Sequence, residues 1–303
     1  MSRPRQRVGD RIFFNITRLA GLLILLALAG VAIFLTTEGL PAFTAPSDAL
    51  GGAANFATYV APLVFGTLLA AVLALLIATP LSLGVALVIS HYAPRRLATP
   101  LGYLVDLLAA VPSVVYGLWG LAFLGVRLSP LYGWLEQHLG WIPLFAGPAS
   151  TTGRTILTAG IVLAIMVVPI ITAITREIFV QTPTLNQEAA FALGATRWEM
   201  IRLAVLPYAR SGIVSAVMLG LGRALGETMA VAMVLSASGV VSINLISNTN
   251  PSTIAANIAL KFPDSTGLAV NALVASGLVL FVITFLVNFA ARSIVARSER
   301  SLA

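Results

Sequence analysis

The sequence predicts an all-α, polytopic integral membrane protein with six transmembrane helices. Hydrophobic residues make up 58% of its 303 positions and charged residues only 10%, whereas about 25% of residues are charged in typical soluble domains. Six apolar stretches are each long enough to cross about 30 Å of hydrocarbon at about 1.5 Å per residue. A polar, charged interruption from Gln187 to Pro207 separates two of these stretches and indicates a segment that faces water.

The six apolar stretches follow one another along the chain. We predict that they cover residues 19–37, 59–90, 97–126, 155–175, 211–237 and 268–291. The second and third are longer than a span requires, and Pro80 and Pro112 lie inside them. Because proline removes a helical hydrogen bond and clashes with the preceding turn, we expect both helices to be kinked there.

The distribution of basic residues predicts that both termini are cytoplasmic. Under that orientation most of the 18 lysines and arginines lie in cytoplasmic segments, and the outer loops hold only Arg127, Arg154 and Lys261. The polar interruption then faces the cytoplasm. The predicted units are a cytoplasmic arm (1–18), a first helix with its outer loop (19–58), a core of five helices (59–292) that includes the cytoplasmic loop 176–210, and a cytoplasmic tail (293–303).

The composition excludes several classes of function. The chain has no cysteine, which excludes disulfides, thiol catalysis and cysteine-ligated metals. Its net charge of +7 comes from arginines dispersed over short loops, which is typical of membrane topology rather than of nucleic-acid binding. A P-loop needs a lysine, and the only lysine is Lys261 in an outer loop. We therefore expect no cofactor bound by this chain, and an ATP-driven function requires a separate ATPase subunit.

Other aromatic and polar residues receive structural interpretations. Trp134 and Trp141 suit an aromatic girdle at the membrane interface. His91 and His138 lie on opposite sides of the predicted bilayer, so we expect no metal site. Asp106, inside the third predicted span, is expected to pair with an arginine of a neighbouring helix.

Two opposite charges, Arg223 and Glu227, lie midway along the fifth predicted span. Their spacing of four places them on one face of a continuous helix. Charge inside a membrane costs at least about 2.5 to 3.5 kcal/mol per residue, so such side chains usually face a protein interior or an aqueous pathway. Small neighbours let other backbones or a ligand approach closely; they are Gly220, Gly222, Ala224 and Gly226.

The pair has two interpretations. Arg223 and Glu227 could neutralise one another and hold helices together. Alternatively, Arg223 offers a planar fork of donors to a tetrahedral oxyanion. Glu227 would then accept the proton of hydrogen phosphate, which sulfate lacks, or tune and release Arg223 as the pathway opens.

The polar interruption has the spacing of a known motif. Glu188, Ala189 and Ala190 are followed after three residues by Gly194 and, eleven residues later, by Leu206 and Pro207. This resembles the EAA loop of ABC-importer permeases, which docks into the ATPase subunit, although Ala204 stands where that pattern usually has isoleucine. The resemblance implies that these residues, with Arg197, couple the chain to an ATPase.

Two further motifs narrow the resemblance: GRALGETMAV at residues 222–231 and VPSVVYGLWG at 111–120. Together with the loop they resemble the PstC family of phosphate-importer permeases, which implies a MetI-like ABC permease core. In that family an Arg and a Glu of the first motif are required for transport, and they match Arg223 and Glu227. Ser113 and Tyr116 follow Pro112 and are expected to line the pathway, because a broken helix needs a cavity or a partner.

The resemblance also implies partners. They are a second, PstA-like permease subunit as heterodimer, a PstB-like ATPase dimer that uses ATP and Mg, and an external PstS-like phosphate-binding protein. The outer segment 238–267 could contact that binding protein, although a solvated connector would have the same composition.

The sequence thus predicts a non-enzymatic permease subunit of an ATP-driven importer that moves inorganic phosphate across the bacterial plasma membrane. One alternative is a permease for another oxyanion, such as sulfate or molybdate. The other is a proton-coupled secondary transporter in which Glu227 is the proton site.

Overall fold

A computed structural model describes residues 8–300, with side chains at residues 9 and 12–293. Arg3, Arg5 and Arg7 of the predicted arm, and residues 301–303 of the predicted tail, lie outside the described residues. Twelve α-helices are present in this part of the chain: α1 Val8–Gly39, α2 Phe56–Leu87, α3 Arg95–Ala109, α4 Ser113–Trp119, α5 Gly125–Leu139, α6 Ile156–Val180, α7 Thr184–Ala192, α8 Arg197–Met200, α9 Leu206–Gly226, α10 Met229–Val234, α11 Ile254–Lys261 and α12 Leu268–Arg300. Two short parallel strands, β1 Ala237–Ser238 and β2 Asn250–Pro251, pair with one another.

Six helical segments are long and apolar enough to cross a membrane, which confirms the predicted number. They are Ile12–Thr44, Phe56–Tyr92, Ser113–Leu139, Ile156–Val180, Arg197–Gly226 and Leu268–Ser293. A π-helical turn at Gly120–Leu124 joins α4 to α5, and another at Ile201–Val205 joins α8 to α9. A third, at Val88–Tyr92, extends the end of α2. The first segment packs against α12 and exposes its apolar side chains, as expected of a helix surrounded by lipid.

Helix α6 is the centre of the fold. Two thirds of its most apolar window is buried (67%), because α2, α3, α9 and α10 all pack on it. The closest neighbour, α2, presents a stripe of alanines that lets the two helices approach. At one point the Ser82 hydroxyl donates to the carbonyl of Val168 across the interface, 3.2 Å away.

The third predicted span is wrong in its bounds. Residues 97–126 do not form one helix, because α3 ends at Ala109 and α4 begins only after Pro112. Pro112 lacks an N–H and disfavours helical geometry in the residue before it, so it ends the helix rather than kinking it. Helix α3 is amphipathic and packs Gly102 on α6. The segment able to cross the membrane is Ser113–Leu139.

The middle of the outer segment 238–267 is folded into the body of the protein, whereas much of both ends is exposed, so only the ends resemble a solvated connector. Asn250, Ile254 and Ala256 are buried. The backbone N–H of Ile254 donates to the hydroxyl of Thr67 on α2, at 2.9 Å. This bond replaces the partner that the first turn of α11 lacks.

Candidate functional site

The helix that carries Arg223 is broken beside Glu227. In a continuous helix the N–H of Ala230 would donate to the carbonyl of Gly226. Here the Glu227 carboxylate accepts from the Ala230 N–H at 3.1 Å, and the Thr228 hydroxyl donates to the Gly226 carbonyl at 3.3 Å. Two side chains therefore replace one main-chain bond, and the helix ends at Gly226 and resumes as α10.

This break corrects the predicted geometry of Arg223 and Glu227. The prediction placed them one turn apart on a single helix over residues 211–237, whereas Glu227 has extended backbone angles and a buried side chain. Glu227 points back to the first turn of α10. The one ion pair among the described residues joins Arg176 to Asp106. Mutual neutralisation of Arg223 and Glu227 is thus absent from this arrangement.

Arg223 instead faces a cavity of about 660 Å³ between α6, α9 and α12, which we name the inner cavity. Its α9 wall is one helical face, formed by Val214, Ser215, Met218, Leu219, Gly222 and Arg223. Helix α12 contributes Asn288 and Arg292, so two guanidinium groups and an amide border the same space. A cavity with these donors can hold an oxyanion, because every one of them offers N–H groups to oxygen.

The sequence interpretation did not identify Asn288 and Arg292 as part of this cavity. Under the predicted orientation Arg292 is simply one of the cytoplasmic basic residues after the last span. The signal that could have found them is their separation by four residues on one face of the last span. The side of α9 that this face meets is a tertiary contact, which a hydropathy pattern does not encode.

The two distinguishing sequence motifs meet in the structure. Gly117 of α4 lies so close to α10 that a Cβ built on it would be 2.8 Å from the Cα of Ala230. At Gly120 an added Cβ would lie 2.6 Å from Val162 and 2.9 Å from Val234. The glycines of VPSVVYGLWG therefore form the seat on which the helix of GETMAV packs.

Ser113 and Tyr116 lie at the start of α4, beside the break at Pro112. Tyr116 is buried, and its hydroxyl donates to the carbonyl of Leu108 at 2.9 Å, across the break. Ser113 is half-buried as the first residue of the helix. Their lining of a pathway stays a prediction, since the Tyr116 hydroxyl already has a protein partner.

The predicted coupling loop consists of two short helices joined at a glycine. Helix α7 carries Glu188, Ala189 and Ala190, and Gly194 follows at φ +84°, a left-handed conformation that glycine adopts without strain. Thr196 then begins α8 with a capping box. Its hydroxyl accepts from the Glu199 N–H, and the Glu199 carboxylate accepts from the Thr196 N–H at 2.7 Å.

The loop is anchored by one side and exposes the other. Met200, Ile201 and Val205 are buried in a cluster with Phe179 at the end of α6 and Ala86 of α2. The exposed side carries large apolar groups. They are Leu185, Phe191, Leu193, Trp198 and Leu203, and Leu193 is 91% exposed. Met200 is therefore an anchor of the loop, whereas Phe191, Leu193 and Leu203 are exposed.

The remaining predicted loop residues lie around this surface. Glu188, Ala189 and Arg197 are exposed, and the Arg197 guanidinium lies over the ring of Tyr92, 5.6 Å from its centroid. Leu206 is half-buried and Pro207 exposed at the start of α9, where a proline needs no N–H partner. We name the exposed part of residues 185–207 the coupling surface.

Asp106 confirms its predicted pairing. Its carboxylate lies 3.7 Å from the guanidinium of Arg176, near the inner end of α6, and the same guanidinium packs against Gly102. Both side chains are partly exposed, so the pair contributes about 1 kcal/mol or less. It ties α3 to α6 just before the coupling surface.

The predicted interfacial aromatics and histidines lie apart from the inner cavity. Trp134 and Trp141 are both exposed, and Trp134 stacks on His138 with ring centroids 4.6 Å apart. His91 accepts or donates a hydrogen bond with Ser90 at 2.7 Å and meets the edge of Phe179. Each histidine therefore has a local structural contact.

The family model and the similar proteins found for this chain all describe membrane permease components of transport systems. A family model described as "binding-protein-dependent transport system inner membrane component" matches residues 78–302. The chain is 46% identical over 305 residues to phosphate transport system permease protein PstC 2 of Mycobacterium tuberculosis, covering 96% of this chain and 93% of that protein. It is 40% identical over 317 residues to phosphate transport system permease protein PstC of Mesorhizobium japonicum, covering 97% and 92%.

Among solved structures, the chain resembles one from a bacterial ABC transporter involved in the import of the acidic polysaccharide alginate. The TM-score is 0.53 at 18% identity, over 95% of this chain and 99% of that chain. At this identity the likeness concerns the fold alone.

Proposed function

The chain belongs to the family of binding-protein-dependent transport system inner membrane components, among its PstC-type phosphate permeases, and from this premise we propose that it is the permease subunit of an ATP-driven phosphate importer. It is a multi-pass membrane protein that acts in a transporter complex with other subunits. The chain supplies part of the translocation pathway and carries out no chemistry itself.

The observation that carries this proposal is the position of Arg223 beside a helix break and on an inner cavity. Membrane transporters commonly place substrate sites at discontinuous helices, because the irregular backbone is tolerated only where it lines a cavity or packs on protein. The Arg223 side chain is exposed in the isolated chain and faces the cavity. Its planar fork suits two oxygens of one phosphate.

Glu227 has a separate role in this proposal. Its carboxylate holds the broken end of the helix through Ala230, so it sets the direction in which α10 leaves α9. Ser113 and Tyr116 lie at the facing end of α4, whose glycine seat holds α10. We propose that these residues border the pathway and that Arg223 is the group that contacts the anion.

The coupling surface is the proposed contact with the ATPase. It exposes several apolar side chains on a short helical hairpin at the junction of α6 and α9. Exposed apolar area of this kind marks a protein interface. The partners we propose are a PstB-like ATPase dimer, which binds ATP and Mg, a PstA-like second permease and a PstS-like external phosphate-binding protein. The distribution of basic residues supports a cytoplasmic position for both termini and for the coupling surface.

Uptake of labelled phosphate tests this proposal. The chain is expressed with its partner subunits in cells that lack their own phosphate importers, with excess sulfate or molybdate as competitors. We expect ATP-dependent uptake that both competitors leave unchanged. Arg223→Gln should lose uptake while the complex assembles normally, and Arg223→Lys should also lose most of it, since a lysine keeps the charge but not the fork.

Two results would contradict the proposal. Uptake that persists after ATP depletion and stops on collapse of the proton gradient would indicate a secondary transporter. Failure of Arg223→Gln to accumulate in the membrane, with Arg223→Lys fully active, would assign Arg223 to packing instead of anion contact.

A further inference from the structure

A second cavity of about 440 Å³ lies at the N-terminal end of α2. It is bounded by the loop 50–54, the first turns of α2, the end of β1 and the end of α11. Its polar lining consists of Thr58, Tyr59, Ser238, Ser252, Asn257 and Lys261. We name it the outer cavity.

The outer cavity is far from the inner one. Pro62 borders it, whereas Ser82 of the same helix bonds to Val168, two residues before Ile170 of the inner cavity. Twenty residues of α-helix correspond to about 30 Å. The two cavities therefore lie at different depths along the membrane-crossing helices, and a ligand cannot contact both at once.

The floor of the outer cavity is polar and buried. Asn257 and Ser252 are only 5% and 6% exposed. The Asn257 amide donates to the Tyr59 hydroxyl at 2.8 Å, which leaves the proton of that hydroxyl free to donate. The Ser238 and Ser252 hydroxyls donate to the carbonyls of Asn250 and Thr253, so their oxygens remain available as acceptors.

Lys261 supplies a positive charge at the mouth. Its ammonium lies 5.4 Å from the centroid of the Tyr59 ring and beside Gly51. Within the described part of the chain no carboxylate lies within 4.0 Å of it, since the single ion pair there is the one between Arg176 and Asp106. Gly51 and Gly52 have φ of +63° and +89°, which keeps this wall free of side chains next to the ammonium.

We propose that the outer cavity is a second oxyanion site, which binds inorganic phosphate at the outer end of the permease. Lys261 and the Tyr59 hydroxyl donate to the anion, while the serine oxygens accept the proton of hydrogen phosphate. Sulfate carries no such proton at neutral pH and is therefore held less well. That phosphate is the cargo rests on the proposed function, whereas the site itself rests on the outer cavity.

The single lysine of the chain provides a direct test. The complete complex, purified in a maltoside detergent, is treated with a membrane-impermeant acetylating reagent, and acetylation of Lys261 is followed by peptide mass spectrometry. Inorganic phosphate should slow the acetylation several-fold in a saturable way, and sulfate at equal ionic strength should do so much less. No phosphate protection, with Lys261 still reactive, would overturn the proposal.

Two variants sharpen the measurement. Tyr59→Phe keeps the ring under the ammonium but removes the donor, so half-protection should need at least about tenfold more phosphate, because the anion loses a charge-assisted hydrogen bond. Arg127→Gln is the control, because it removes another cation that lies over a ring, Phe123 at 4.5 Å, outside the cavity. It should leave the phosphate concentration for half-protection unchanged, and an equal shift in both variants would contradict the proposal.

Free phosphate and a lipid headgroup share the same chemistry, and the medium separates them. Protection by inorganic phosphate in detergent without lipid supports the free anion. Protection that arises only in phosphatidylglycerol nanodiscs, with no response to phosphate, overturns it. Acetylation requires no transport, and Arg223→Gln should keep the protection, so failure of the outer site and failure of the proposed function give different results.

Discussion

Replacing Gly117 by alanine tests the contact between the two sequence motifs. The added Cβ would lie 2.8 Å from the Cα of Ala230 and 3.1 Å from the sulfur of Met233, whereas ordinary contact begins at 3.4 Å. The nearer neighbour is backbone and cannot rotate away. Helix α10 would therefore have to move by at least about 0.6 Å away from α4.

The energetic consequence is a difference between two effects. Overpacking of a tight contact costs about 1 to 3 kcal/mol, and alanine in a helix is favoured over glycine by about 0.8 to 1.0 kcal/mol. Gly133→Ala in α5 is the matched control, because a Cβ there meets nothing within 4 Å and only the second effect operates. We expect Gly117→Ala to be less stable than Gly133→Ala by about 1 to 3 kcal/mol.

Thermal unfolding of the purified complex measures this difference, together with phosphate uptake in cells. The Gly117→Ala midpoint should lie below that of Gly133→Ala, because only Gly117→Ala adds the steric overlap. Uptake should fall in Gly117→Ala alone. Equal midpoints and full uptake in both variants would refute the close packing of α4 on α10.

Two further predictions concern the coupling surface and the helix break. The Gly194→Trp variant should insert and assemble normally but lose phosphate-stimulated ATP hydrolysis, because a tryptophan there strains the left-handed backbone and projects from the coupling surface. Gly133→Trp, at a position that is equally open but lies outside the coupling surface, should retain this hydrolysis. Normal ATP hydrolysis in both variants would exclude a role for the turn at Gly194. Glu227→Ala should lower the free energy of unfolding by about 1 to 3 kcal/mol, because the Ala230 N–H loses its partner. Thr228→Val removes a longer hydrogen bond from a half-buried group and should lower that free energy by less. A thermal midpoint of Glu227→Ala at or above that of Thr228→Val would contradict this role of Glu227.

The sequence predicted the class of fold and the number of spans because both depend on the length of apolar runs. The coupling surface could also be predicted, since Glu188, Arg197 and Glu199 interrupt such a run and Gly194 fits a tight turn. The pairing of Asp106 followed from the cost of an isolated charge beside a membrane. Each of these features follows from local composition.

The two wrong boundaries have a common cause. Apolar residues lie on both sides of Pro112 and of Glu227, so the apolar stretches extend across both positions, although both backbones leave the helix there. At the second break the reason is competition between side chains and main chain for one hydrogen bond, which depends on orientation. The sequence did not predict all residues around Arg223 for a further reason: Asn288 meets α9 only through tertiary packing.

The break between α9 and α10 also determines which part of the chain would bend if α6 moved relative to α9. Helix α6 ends at the coupling surface and α9 begins there, and both are connected to α10. Helix α9 reaches it through the chain itself, while the segment before α6 reaches it through Arg154, whose guanidinium donates to the carbonyl of Leu235 at 3.2 Å. Any displacement of α6 relative to α9 at the coupling surface therefore arrives at the two ends of a six-residue helix. Because α9 is a long continuous helix and α10 is packed on α4, we expect the non-helical residues between them, Glu227 and Thr228, to act as the hinge.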